Sequence, residues 1–232
     1  MADATLTPPL FLTLHHLTTN PTLTQHLVNL CNEAFSRSQL RDPVKWIYPK
    51  ARFADTQQLL TEFAASDGTM AVILDEAEHG PEETVQIEGL SSEGGMARGK
   101  LIACAGVVPW KGGWQSKDPG EERGWEVKTV CVDKGEKYAK KGSANKLVAA
   151  LEEFVVNRER ERLTASFQHG GVDKGGKHVV DLWIITAECV NGEYWRKRGF
   201  GEVRRQTCSG IWGCKTSFEM LTLRREVEFV LE

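Results

Sequence analysis

The sequence predicts a mixed α/β sheet in a single domain. Three observations carry that expectation. Apolar residues recur at helical spacing in some segments and as short unbroken runs in others. The two kinds of segment follow one another as β-α-α-β-β-β-α-β-α-β-β, with no internal repeat and no linker. Finally, 232 residues with 41% hydrophobic and 26% charged side chains form an ordinary globular balance, enough for one large domain and too apolar for a disordered chain.

Residues 11–14 read as a short strand. Asn20 and Pro21 announce a helix on which Leu23, Leu27, Leu30, Cys31, Ala34 and Phe35 share one face. A loop with Asp42-Pro43 and Tyr48-Pro49 leads to a second helix, 54–65, with Leu59, Leu60 and Phe63 inward. Residues 70–74 form an apolar strand. Residues 75–97 hold seven acids and no Lys or Arg, which predicts a solvated loop or flexible insertion between two hairpin strands. Strands follow at 100–109 and 125–132. The period then changes: Leu147, Val148, Leu151, Phe154 and Val155 mark an amphipathic helix from about 143 to 160. A buried strand, 178–187, precedes a short helix, 191–197, that ends at Gly199. Strands near 202–207 and 216–224 finish the chain.

Several function classes fall away. The 22 glycines have no triplet period, so the chain is not collagen-like. A net charge of -3 leaves no global basic field for nucleic acid. Residues 1–12 lack the basic and apolar regions of a signal peptide, and the longest apolar run, 101–110, is too short to span a bilayer. The expectation is therefore a soluble protein of the cytosol or nucleus, with no membrane partner. None of the six cysteines is paired at CxxC spacing, and His15 and His16 are expected on opposite sides of a strand, so no metal site is expected. Residues 171–178 imitate a Walker A loop, but His178 stands where a hydroxyl is needed and a strand follows.

Chemistry concentrates in one stretch. Residues 125–133 form a buried strand, and Lys137, Lys140, Lys141 and Gly142 form a basic glycine loop that runs into the long helix at Ser143 and Ala144. Unsatisfied N–H groups and the helix dipole favour an anion there, and Gly142 lets it come close to the backbone. That is a cradle for a pyrophosphate. The same pattern also suits a solvated basic loop before an ordinary amphipathic helix.

Residues 139–144, Ala-Lys-Lys-Gly-Ser-Ala, resemble motif A of the GNAT (GCN5-related N-acetyltransferase) superfamily, Q/R-x-x-G-x-G/A; Gly142 and Ala144 match and Ala139 departs. Residues 182–191 and the run from Tyr194 to Arg198-Gly199-Phe200 resemble motif B, with Trp195 where the family usually has its acid Tyr. The resemblance covers roughly residues 124–206. It implies the GNAT fold: a single, mostly antiparallel twisted sheet, flanked by helices, whose two central parallel strands splay apart.

It further implies acetyl-CoA as cosubstrate and a primary amine, on a small molecule or a peptide, as acceptor. The pantetheine arm would lie along Val130, Cys131 and Val132, with the Val130 N–H polarising the thioester carbonyl. Pyrophosphate would sit on the loop through Lys140, Lys141, Gly142, Ser143 and Ala144, with Lys137 adding charge. Asn191 and Trp195 would face the pantetheine. Glu126 stands where several relatives carry a general base, and its spacing of four from Val130 puts both side chains on one sheet face. Tyr194 is the candidate acid. Trp46, Tyr48, Trp110 and Trp114 are expected around the acceptor cleft, where they would favour an apolar or aromatic amine. The acids of 75–93 would favour a cationic one instead. Arg196, Lys197, Arg198, Arg204 and Arg205 form a basic cluster suited to an acidic partner or the CoA 3′-phosphate. A monomer or homodimer satisfies all of this. Two rival readings stand beside it: a GNAT-fold CoA sensor without turnover, and an interaction module without CoA.

Overall fold

Local signals place most elements where the spacing predicts them. In a computed structural model the described residues are 4–46, 50–64, 67–77, 79–90, 95–115, 121–167 and 176–231. Strand β1 (Leu10–Leu12) is shorter than expected because Thr13 caps a helix, α1 (Leu14–Thr19). The Thr13 hydroxyl accepts from the His16 N–H, and the Thr13 N–H donates to His16 Nδ1 at 3.0 Å, a reciprocal cap. This corrects the strand reading of His15 and His16. Helix α2 (Pro21–Gln39) starts as predicted, with the Asn20 side chain accepting from the Leu23 N–H. Helix α3 (Thr56–Ala64) and strand β2 (Thr69–Asp75) follow.

The acidic segment departs from expectation. It holds strand β3 (Thr84–Glu88), which pairs with the start of β4 (Met96–Pro109), and Val85 and Ile87 are buried in the core. An apolar residue at every second position stabilises an edge strand despite the acids between. Then come β5 (Trp125–Val132), α4 (Ser143–Phe167), β6 (Lys177–Ala187), a π-helical turn (Glu188–Gly192), α5 (Glu193–Arg196), β7 (Gly201–Ser209) and β8 (Ser217–Val230). Residues 171–175 of the Walker-like segment lie outside the described residues.

The sheet runs β1-β2-β4-β5-β6-β8-β7, with β3 on the outer part of β4. Every pairing is antiparallel except β5 with β6. The unbroken run 70–74 is buried on both faces: Ala71 and Ile73 pack toward α4, and Met70, Val72 and Leu74 toward α2 and α3. Full burial of one such side chain stabilises by about 1.5–3 kcal/mol. A third cluster, around Trp46, Phe218 and Met220, closes the end of β8. No helix among the described residues is long and apolar enough to cross a membrane.

Candidate active site

The parallel strands β5 and β6 pair over only two positions, Trp125 with Leu182 and Glu126 with Trp183. Gly124 sets the close end. Its φ is +115°, and a Cβ there would lie 2.1 Å from the Asp181 carbonyl oxygen, so only glycine permits this approach. Beyond it the strands part, β6 following β8 and β5 following β4. A wedge opens between them.

A bulge reshapes β5 inside the wedge. Cys104 opposes Cys131 and Gly106 opposes Lys128, so β5 carries one extra residue there, and Thr129 has φ +49°. Side chains change face across it. Glu126 and Lys128 face α3, where Lys128 Nζ lies 3.2 Å from Glu62, while Val130 and Val132 pack with the α4-side core. The expectation of one face for Glu126 and Val130 is therefore corrected: even spacing holds only in a regular strand. Backbone direction follows from one bond. Asp133 donates its N–H to Ile102 of β4 at 2.7 Å, so by alternation the N–H and C=O groups of Val132 and Val130 point away from β4, into the wedge. Arg37 of α2 reaches the same place and donates to the Val132 carbonyl at 2.7 Å.

At the mouth of the wedge, helix α4 begins as Lys146 donates to the Gly142 carbonyl. Lys140 (φ +58°) and Gly142 (φ +83°) bend the loop, and a Cβ on Gly142 would meet none of the described residues within 4 Å. The first-turn N–H groups thus face an open approach. Ser143 is buried, and its hydroxyl has no hydrogen-bond partner among the described residues. Lys140 and Lys141 are exposed and Ala144 is partly buried. Lys137 departs from the anion-binding reading: its ammonium lies 2.9 Å from buried Asp75, which also accepts from Tyr138 at 2.7 Å. Those donors outweigh the burial that would raise the Asp75 carboxyl and hold it far below the usual carboxylate range.

The motif B segment closes the other side. Asn145, on the first turn of α4, accepts from Arg198 at 2.6 Å and from the Tyr194 hydroxyl at 3.3 Å, and the Arg198 guanidinium lies 3.4 Å over the Tyr194 ring. Burial pushes the Tyr194 phenol up, so it holds its proton at neutral pH. Trp195 points into the α4-side core, edge-on to Tyr194 and Phe200, and carries no acid group. Asn191 sits partly exposed on the π-helical turn, a local widening common at functional sites.

On the α3 side of β5 lies a cavity of about 290 Å³ lined by Thr61, Glu62, Val108, Lys111, Glu126 and Lys128. Burial raises the Glu126 carboxyl against the pull of Lys128, 3.4 Å away. Glu62 is also desolvated, but Arg52 and Lys128 outweigh that and hold it below its ordinary value. Two adjacent carboxylates are thus tuned in opposite directions.

The structure matches several solved ones. They include the NatC complex bound to Gag peptide and CoA (10% identity, 97% of this chain, 99% of that chain, TM-score 0.51). Another is a protein of Acinetobacter baylyi assigned as an acetyltransferase (11% identity, 97% and 95% coverage, TM-score 0.55). A third is assigned as a phosphinothricin N-acetyltransferase (14% identity, 96% and 99% coverage, TM-score 0.50). The chain has the GNAT fold. No protein-family model and no curated protein sequence matches it.

Within this GNAT fold the predicted residues divide. Val130, Cys131, Val132, Lys140, Lys141, Gly142, Ser143 and Ala144 lie along β5 and the α4 start, and Asn191 and Tyr194 lie on the segment after β6. Lys137 and Trp195 are committed to structural contacts, and Glu126 faces the α3 cavity. Trp46 is fully buried, Trp110 stacks on Trp183 at 4.7 Å, Trp114 packs near Trp212, and Tyr48 lies outside the described residues. The basic cluster is not a free patch: Arg196 and Arg205 pair with Glu188 and Glu202, Lys197 with Glu193, Arg204 with Glu122, and Arg198 with Asn145. Arg37, Arg52, Glu62 and Asn145 are the site residues that spacing did not find. Arg37, Arg52 and Glu62 reach β5 from segments remote in sequence, and Asn145, the residue after Ala144, meets its partners from the segment after β6.

Proposed function

We propose that this chain is an acetyl-CoA-dependent N-acetyltransferase acting on a primary amine by direct attack in a ternary complex. The observation that carries the reading is the wedge. Its open edge presents the backbone groups of Val130 and Val132, and it ends at a helix start with an unobstructed glycine. Acetyl-CoA fits this arrangement. The N–H groups around Gly142, Ser143 and Ala144, with Lys140 and Lys141, hold its phosphates. The strand pairs with its amides through Val130 and Val132, between which Cys131 turns its backbone to β4, and Asn191 supports the far side. The Val132 carbonyl, already bonded to Arg37, keeps a second lone pair for that pairing.

The cosubstrate supplies the activated acyl group. The Val130 N–H polarises the acyl carbonyl. Glu126, raised by burial toward the working pH, takes a proton from the incoming ammonium in the adjoining cavity. Tyr194 holds the proton destined for the leaving thiolate. The acceptor is a small-molecule amine or a peptide, and the peptide-bound NatC complex of like fold supports the second. One GNAT-like domain, monomeric or homodimeric, carries the activity in the cytosol or nucleus, without nucleic acid or membrane.

One feature favours the rival of a CoA sensor: the family's acid position is a buried Trp195, and the neighbouring Tyr194 hydroxyl already contacts Asn145. Free-thiol release from acetyl-CoA with a panel of amines and N-terminal peptides decides between them. Release with any acceptor supports the enzyme. A Tm raised by acetyl-CoA with no release across the panel supports the sensor.

A further inference from the structure

Three cysteines far apart in sequence meet inside the molecule. Cys31 comes from α2, Cys104 from β4 and Cys131 from β5, where Cys104 and Cys131 are direct cross-strand partners. Their Sγ atoms all lie within 4.8 Å of one another, and Cys31 and Cys104 are 3.7 Å apart. All three thiols are free and buried, with Leu27, Leu30 and Ala34 among the apolar residues of the same core. We propose that this triangle is a trigonal thiolate site for a monovalent soft metal ion, Cu(I).

The dimensions fit. A planar three-sulfur site with metal–sulfur bonds of about 2.3 Å sets its sulfurs about 4.0 Å apart. A thiolate-only ligand set selects a soft ion. Structural zinc sites are closed by four ligands, and among the described residues no fourth His, Cys, Asp or Glu joins the three. A three-coordinate ion is the one that this set completes. Coordination displaces thiol protons to solvent, and the ion keeps its oxidation state. The bound ion would clamp α2 to β4 and β5 one residue from Val130. It is independent of the acetyl-transfer reading.

The test is an anaerobic titration of the full chain, reduced, with Cu(I) against a chromogenic Cu(I) chelator. The expected result is one ion withdrawn per chain, a raised Tm, and an X-ray absorption spectrum with three sulfurs at about 2.3 Å. Cys189→Ala, at the exposed cysteine, retains uptake, and Cys104→Ala loses it. Because a core substitution can unfold the chain, the unaltered protein's spectrum is decisive. No ion taken from the chelator, fewer than three sulfurs, or uptake lost in Cys189→Ala overturns the proposal.

Discussion

Asp75→Asn should cost about 1.5–4 kcal/mol of stability at pH 7. Asp75 is fully buried. One oxygen accepts from the backbone of Thr5 at 2.9 Å and Ala77 at 3.1 Å; the other accepts from Tyr138 at 2.7 Å and Lys137 at 2.9 Å. An asparagine keeps the shape and the first oxygen, so no cavity forms and the backbone bonds survive. Its amide then turns N–H groups toward two donors. A charge-assisted hydrogen bond contributes about 1.5–3 kcal/mol, and the Tyr138 bond is lost in full because that ring is buried. The Lys137 bond counts for about 0–1 kcal/mol, since its side chain is 37% exposed and water replaces the carboxylate. Urea denaturation reads the sum. With a slope of about 2–3 kcal/mol/M the midpoint falls by about 1 M.

The pH dependence has a definite sign. The folded Asp75 carboxyl lies below its unfolded value, so its contribution is complete above the unfolded pKa of about 4 and is lost as pH falls through the folded one. With His79 Nε2 also 3.2 Å from the oxygen that Tyr138 contacts, the gap between the two proteins should not narrow from pH 7 to 5 and should narrow only below about pH 4. A gap under about 0.5 kcal/mol at pH 7, or one that closes between pH 7 and 5, would refute the assignment of Asp75 as a buried anion holding the loop before α4.

Glu126→Gln should lower kcat by about a hundredfold or more and erase the acidic limb of the pH–rate profile. Its folded carboxyl is raised, so ionisation costs stability above that pKa; the variant should melt no lower than the parent at pH 8, and a lower Tm there would contradict the sign. Gly142→Val places a branched Cβ where nothing now stands, at φ +83°. Folding should lose about 1–3 kcal/mol to backbone strain, while CoA affinity by calorimetry drops more than about tenfold; unchanged affinity would remove the phosphates from this loop. Gly124→Ala drives a methyl into the Asp181 carbonyl, and a loss of about 3 kcal/mol or more in chemical denaturation is expected.

Much of the fold is legible locally, since α2, β5, β6 and the start of α4 announce themselves by period, caps and turn residues within a few positions of where they lie, while α4 itself runs on to Phe167, past the expected end near 160. Phosphate-loop and motif B segments are legible for the same reason: each is a short contiguous pattern at one helix end. What the chain cannot announce is how distant segments align. Thr129 reads as one more strand residue, yet the bulge there exists only because β5 must match β4, and it alone turns Glu126 and Val130 to opposite faces. Asp75 opens a run of acids and looks solvated, until Tyr138, 63 residues later, is buried upon it. Cys31 and Cys104 are 73 residues apart and look unrelated, because only the docking of α2 on the sheet brings their sulfurs together. The basic cluster looks like a patch because two of its acids, Glu188 and Glu122, arrive from other elements. Order, caps and the glycine loop belong to the sequence, because they depend on neighbours along the chain. Facing, charge pairing and the thiol triangle belong to the tertiary structure, because they depend on register between strands, and one residue of offset exchanges the faces.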